Sequence, residues 1–343
     1  MVCTENEGGA VIKRPLRTLF YGMTHEHAAG KLATLRKLRG DFEVVAVVDD
    51  RPRGTAHFID PACPFDASGF KVVAESEADE LEGIDVAFIE TANADLMEVA
   101  AKFAERGIPM HCDKPCGESM ESYRAVAATC REKNIPLQIG YMYRGNPAVK
   151  WIWENVRSGV IGDVAFIEAD MNHDYGSAGY AEYLSSFKGG ILYNLGCHLV
   201  DLALPLVRGE LLEAHPFVGP APGDPPWAKT CGAAFLRFGG TDVLVRTSSH
   251  MPGALMTRRL RIDGTEGTID LCPIERFDGV ELKLTLTRKG EAPCDVLFGA
   301  QADRYAAQLL ELAAIVRGKK SLDAAEFDRD LKVHETTLRM CGL

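Results

Sequence analysis

Along the first 140 residues, short apolar runs alternate with longer stretches of mixed polarity. "LRTLFYG" (16–22), "EVVAVVDD" (43–50), "DVAFIET" (85–91) and "IPLQIGY" (135–141) are the runs. "VVAVV" and "VAFIE" are almost continuously apolar, as strands covered on both faces must be, and their shortness and β-branching favour strand over buried helix. Between them, "LMEVAAKFAERG" (96–107) carries helical spacing and ends in Arg and Gly, a sound C-terminal stop. This rhythm predicts a parallel sheet with crossover helices.

From about residue 145 the pattern changes. "PAVKWIWENVRSG" predicts a helix, "DVAFIEADM" a strand, and "YNLGCHLVDLALPLV" a further helical segment. "GAAFLRFGG", "DVLVRTSSH", "RRLRIDG", "GTIDLC" and "VELKLTLTRKG" then follow between Gly, Pro and Asp punctuation, as strands of an antiparallel sheet do. "PFVGPAPGDPPW" reads as a Pro/Gly loop, and two closing helices are predicted in "QADRYAAQLLELAAIVRGK" and "AAEFDRDLKVHETTLRM". The expectation is an α/β chain of two domains: a doubly wound parallel-sheet domain over residues 1–140 and an α+β domain with an antiparallel sheet over 141–343.

Composition narrows the function classes. The 343 residues are 46% hydrophobic and 25% charged, with no apolar stretch long enough to cross a bilayer. The opening "MVCTENEGGAVIKRP" lacks the apolar middle of a secretory signal, so it reads as a loose polar leader and the expected location is cytoplasmic. A net charge of -11, without a basic stripe, argues against a nucleic-acid partner. The ten cysteines form no C-x-x-C pair, so buried thiols are expected for most of them rather than a zinc site or disulfide framework.

The chemistry concentrates in three stretches. In "FYGMTHEHAAG" a strand delivers the chain to Gly22 and a helix begins shortly after, a setting in which backbone N–H groups can hold a pyrophosphate. Against G-x-G-x-x-G, Thr24 stands at the second glycine and His27 at the third. The same residues also read as a tight turn with polar caps, or, through His25 and His27, as two nitrogens of a metal site that no acid or thiol at a recognisable spacing completes. No metal is expected. Asp49 and Asp50 end the second strand, where an acid can accept from an adenosine ribose and repel a 2′-phosphate. They can equally be a turn-forming pair, and Arg51 is what a 2′-phosphate would recruit.

The second stretch, "HCDKPCGES", sets Lys114 between Asp113 and Pro115 at a strand's carboxyl end, where its ammonium could polarise a carbonyl or steady an alkoxide. The third, "KGGILYNLGCHLVDLALPL", presents Asn194, His198 and Asp201; a four-residue helical spacing would put Asn194 and His198 on one face. An imidazole suits the movement of an alcohol proton near neutral pH. Taken singly, Lys114 also reads as a solvated strand end and His198 as a satisfied core histidine.

Taken in order, the nucleotide turn, the acidic strand end, D-K-P, "GYMYRGNPAVKWIWENVRSGVIGDV", G-G-x-x-x-N-x-G-x-H-x-x-D and "IDGTEGTIDL" resemble the glucose-fructose oxidoreductase/inositol dehydrogenase family across nearly the whole chain. The resemblance implies an N-terminal Rossmann-type domain, a C-terminal domain whose open, largely antiparallel sheet builds a homo-oligomer, and NAD(P)-dependent oxidation or reduction of sugars, inositols or related polyols; from the composition, no membrane partner is expected. Lys114 is similar to the lysine of the family's E-K-P motif and His198 to its catalytic histidine, while Asn194 takes the place of the usual aspartate. The implied catalytic residues are Lys114, His198 and Asn194. Implied cofactor contacts are Gly22, Thr24, His25, Asp49, Asp50, Arg51, Thr91, Asn93, Asp113 and Lys114, with NAD expected and NADP as the alternative. Tyr143, Arg144, His173, Asp174, Tyr175 and Asp201 are the expected substrate-side residues. Two competing readings remain at this stage: a glycosidase working by transient oxidation and elimination on a held NAD, and a cofactor- or sugar-binding protein with weakened catalysis.

Overall fold

The computed structural model describes residues 14–343; all of the expected leader except Arg14 and Pro15 lies outside the described residues. The N-terminal strands are β1 (Leu16–Tyr21), β2 (Phe42–Asp49), β3 (Val72–Ala74), β4 (Val86–Ile89), β5 (Met110–Cys112) and β6 (Leu137–Ile139). They pair in parallel in the order β3-β2-β1-β4-β5-β6. The helices threading them are α1 (Ala28–Lys37), α2 (Glu75–Asp79), α3 (Leu96–Glu105) and α4 (Met120–Glu132). All four residues of β4 are buried, as its unbroken apolar run requires. In such a sheet the order reverses between β1 and β4, and ligands bind in the crevice at the carboxyl ends of those strands.

After α5 (Pro147–Arg157) and β7 (Val164–Asn172) come three short helices, α6 (Ala178–Ser185), α7 (Gly190–Asn194) and α8 (Gly196–Ala203). Strands β8 (Leu211–Gly219), β9 (Cys231–Phe238) and β10 (Asp242–Ser248), the one-turn helix α9 (Ala254–Thr257), and β11 (Arg259–Gly264), β12 (Gly267–Leu271), β13 (Leu282–Arg288) and β14 (Cys294–Phe298) follow. The eight strands order as β14-β13-β12-β11-β7-β10-β9-β8, antiparallel throughout except for the parallel β7–β10 pair. Burial alternates along β9 and β10: one face packs on α7 and α8, and the other stays open.

Two closing helices tie the domains together. In α10 (Ala306–Val316), Gln308 donates to the Ile139 carbonyl at 2.6 Å, and just before it Asp303 accepts from Thr34 of α1 at 2.9 Å. The long α11 (Ala324–Met340) packs on both α4 and α8. None of the described helices is long and apolar enough to cross a membrane.

The structure corrects three local expectations. The Pro/Gly loop at 216–227 begins inside β8, which tolerates Pro216 because it is a sheet edge and leaves Phe217 70% exposed. The segment around Asn194 and His198 is two helices, bent at Leu195 beside Gly196, where an added Cβ would come within 2.7 Å of Met340. Of the nine described cysteines, only Cys112, Cys116, Cys130 and Cys197 are buried. Cys63, Cys231, Cys272 and Cys294 lie on loops or on sheet edges and the open sheet face, where period-two alternation turns side chains outward.

Candidate active site

The glycine turn is fixed by close packing. Gly22 has φ +109°, and a Cβ there would sit 2.5 Å from the backbone of Glu90 and Thr91, so the chain passes hard against the end of β4. Asp50 braces the turn: it accepts from the Met23 N–H at 2.7 Å and from the Thr24 hydroxyl, and is 1% exposed. Its carboxyl is raised by that burial, against the pull of Thr24. Asp49 holds Arg51 through two hydrogen bonds of 2.8 and 2.6 Å.

Beneath the turn lies a buried charge network. Lys31, on α1, donates to Glu90 at 2.9 Å and also binds Asp113 and His111, all four residues being inaccessible to solvent. Because His111 Nε2 accepts from an ammonium, its Nδ1–H donates to Gln138 at 2.9 Å. Burial, then Lys31, pulls His111 down to about 3, so it is neutral. His25 is neutral for the same first reason, burial, also at about 3. Its Nδ1 accepts the His27 N–H at 3.1 Å, leaving Nε2–H to donate to the Lys114 carbonyl at 3.0 Å.

The sequence offered no third donor for a metal at His25 and His27, yet the fold brings Asp113 to them: donor atoms of all three lie within 4.8 Å of one another. The lone pairs are nevertheless engaged. His25 Nδ1 takes a backbone N–H, Asp113 holds the Lys31 ammonium, and His27 Nδ1 is 3.1 Å from the same carboxylate.

Lys114 projects past β5 toward the helix break in the second domain. Its Nζ donates to the Asn194 carbonyl at 3.1 Å and to Glu26 at 3.0 Å. Burial is the largest influence and opposes its charge, but Glu26, Cys197 and Asp113 together outweigh it and hold the ammonium above its ordinary range. Asn194 donates through Nδ2 to Glu26 at 3.2 Å. His198, four residues on, is 1% exposed, and neither ring nitrogen has a partner. Burial, then Lys114 and His27, holds it well below the usual imidazole range, so it is neutral with a lone pair to offer.

The remaining expected residues divide. Tyr143 packs its ring 5.6 Å from His198 and donates its hydroxyl to Glu275 at 3.0 Å. His173 and Tyr175 join Tyr180 in an aromatic cluster that also holds Phe58, from the loop after β2, 4.8 Å from Tyr180. Asp174 is exposed beside His250. Arg144 binds Asp201 at 2.7 Å and Asp330 at 2.6 Å, so these groups are spent on anchoring α8 to α11. Asn93 donates to the Lys114 carbonyl at 3.0 Å and accepts from Tyr183 at 2.6 Å, crossing between domains.

Sequence reasoning passed over Glu26, Lys31, Glu90, His111, Phe58 and Tyr183. Only Glu26 carried a signal, an acid inside the H-x-H of a strand-to-helix turn.

These residues suit a dinucleotide. The N–H groups of Thr24 and Glu26 make no hydrogen bond within the described residues, and the Thr91 hydroxyl is buried without a partner. Three free donors stand where β1 and β4 end, the position at which such sheets hold phosphates.

Comparison with known proteins agrees with this geometry. Residues 21–141 match the family described as "Oxidoreductase family, NAD-binding Rossmann fold", and residues 149–270 match the "GFO/IDH/MocA C-terminal domain". The chain is 28% identical over 155 residues to the rhizopine catabolism protein MocA of Rhizobium meliloti, covering 43% of this chain and 47% of that protein. It is 29% identical over 129 residues to the scyllo-inositol 2-dehydrogenase (NAD(+)) of Bacillus subtilis, covering 38% and 37%. Each alignment thus spans less than half of the relative's length. In fold, it is similar to KijD10, a 3-ketoreductase from Actinomadura kijaniata solved with NADP and TDP-benzene, with a TM-score of 0.76 at 16% identity over 94% of this chain and 96% of that one. Two domain matches, one containing Lys114 and the other Asn194, make this chain a member of the GFO/IDH/MocA oxidoreductase family.

Proposed function

We propose that the protein is an NAD(P)-dependent dehydrogenase or reductase of a sugar, inositol or related polyol. The observation that carries this reading is the meeting, at one domain junction, of a charged buried lysine and a neutral buried histidine whose two ring nitrogens lack partners. In the oxidative direction His198 takes the hydroxyl proton, while the Lys114 ammonium steadies the negative charge that develops on the oxygen. When bound, the nicotinamide supplies the two-electron acceptor for the hydride. Gly22, Thr24, Thr91 and Asn93 would hold the dinucleotide, and Tyr143, His173 and Tyr175 border the substrate side.

NAD is the favoured cofactor. Asp49 ends β2, where a carboxylate can accept from a ribose hydroxyl and repel a 2′-phosphate, and it also pairs with Arg51. No metal is proposed at His25, His27 and Asp113; elemental analysis should find no stoichiometric, chelator-sensitive ion. The open sheet face, with Leu244 and Phe217 exposed, suits assembly into a homo-oligomer.

The test is an absorbance screen at the nicotinamide band over a panel of polyols and sugars with NAD and NADP, beside a binding titration of each cofactor. Turnover on at least one polyol, with NAD bound more tightly, is expected. Binding of neither cofactor would overturn the reading.

A further inference from the structure

Resting on that reading, we propose that Glu26 is the anionic member of the reaction centre: reaching across from the glycine turn, its carboxylate positions Lys114 and Asn194 and supplies the negative charge that an amide at 194 cannot.

The geometry is specific. Glu26 Oε1 accepts from Lys114 Nζ at 3.0 Å and from Asn194 Nδ2 at 3.2 Å, joining the end of β5, the glycine turn and the α7–α8 break in one contact. The other oxygen, Oε2, is buried with no partner, and so are Asn194 Oδ1 and both nitrogens of His198. A buried carboxylate oxygen without a donor is costly, so such a set is retained where a further donor arrives during function. A substrate hydroxyl, or an imidazole that has just taken its proton, is such a donor.

The charge balance agrees. The titratable groups facing Glu26 are Lys114 beyond β5, His25 and His27 on its own turn, His173 and Tyr175 beyond β7, Tyr180 and Tyr183 on α6, and Cys197 on α8. Burial opposes ionisation of Glu26, but Lys114 and then His27, His25 and His173 hold it down at about 2. When His198 takes the substrate's hydroxyl proton and the hydride leaves for the nicotinamide, the cleft acquires a second cation beside Lys114. Glu26 neither gains nor loses a proton in this step. Its fixed charge offsets the imidazolium, making it a positioning residue.

The experiment compares wild type, Glu26→Gln and the double variant Glu26→Gln/Asn194→Asp. Gln keeps the shape and loses the charge; Asp at 194 returns a carboxylate to the same cluster. Glu26→Gln should lower kcat about 10- to 100-fold, the usual effect of removing a group that orients others. The cofactor Kd should stay within about threefold, and the double variant should recover most of the lost kcat. Full turnover in Glu26→Gln, or no recovery in the double variant, would overturn the proposal.

A second readout does not need turnover. Glu26 is depressed in the fold, so its stabilisation is present above pH about 4.5 and is lost as the pH falls toward about 2. The Tm gap between wild type and Glu26→Gln should therefore narrow between pH 6 and 3, by roughly what one linked proton allows. If wild type binds neither NAD nor NADP, the dehydrogenase or reductase reading fails while this gap still decides the Glu26–Lys114 pairing. A gap independent of pH would overturn it.

Discussion

At the scale of single residues, the site shows how four histidines can be kept neutral among charged neighbours. Burial comes first for each of His25, His27, His111 and His198, and Lys31 and Lys114 add to it for His111 and His198 respectively. Lys31 stabilises the network because it answers Asp113 and Glu90 together, and Glu90 is itself pushed well up, first by burial and then by Asp113. Lys31→Met removes the only ammonium bound to these two carboxylates among the described residues. Denaturant unfolding should show a loss of about 3–5 kcal/mol, as when one partner of a buried pair is deleted. An unchanged midpoint would mean that the carboxylates are satisfied some other way. Asn194 illustrates the reverse case, where the sequence pattern signalled a lost charge and only the fold disclosed that Glu26, far away in the chain, stands against it.

At the scale of elements, β1, β2, β4 and β6 were legible because burial leaves apolar runs such as "VVAVV" and "VAFIE", whereas β3, a three-residue edge strand with only Val73 buried, was not. β8 and β14 were not: both are edges, and exposed strands such as "LLEAHPFVG" lack the apolar alternation that a half-buried strand shows. The break between α7 and α8 was hidden for a different reason. It is set by the approach of α11 to Gly196, a contact more than 100 residues distant that no local pattern encodes. Lys114 and His198 could be picked out by type and motif order, whereas the Lys31 network could not, since its four members come from α1, the end of β4 and β5. The glycine turn gives this scale its prediction. Gly22→Ala adds a Cβ 2.5 Å from backbone at φ +109°, so β1 or β4 must shift. Strain of about 1–3 kcal/mol or more is expected, with a drop in Tm and weaker NAD binding. Wild-type Tm and affinity in that variant would show that the turn is not tightly packed against Glu90.

At the scale of the whole molecule, stability and chemistry meet at one domain junction. His25 and His111 are neutral when folded, at about 3, but take protons in the unfolded chain below pH about 6.5. The unfolded state therefore binds more protons between those values, and stability present above pH 6.5 should be lost as the pH falls toward 3. Thermal unfolding across pH 7.5 to 4 should show Tm falling steadily; a flat profile would mean that the imidazoles are not desolvated in the fold. The junction itself depends on both domains, because Lys114 comes from the carboxyl end of β5 in one sheet and His198 from a helix over the other sheet. The central claim is that these two side chains act on one substrate. Its most direct test is turnover of Lys114→Met and His198→Ala beside a cofactor titration of the same proteins. Each variant should lose roughly a hundredfold or more in kcat while binding NAD nearly as wild type does, because both groups meet charge that develops only during reaction. Full turnover in both variants would contradict the account.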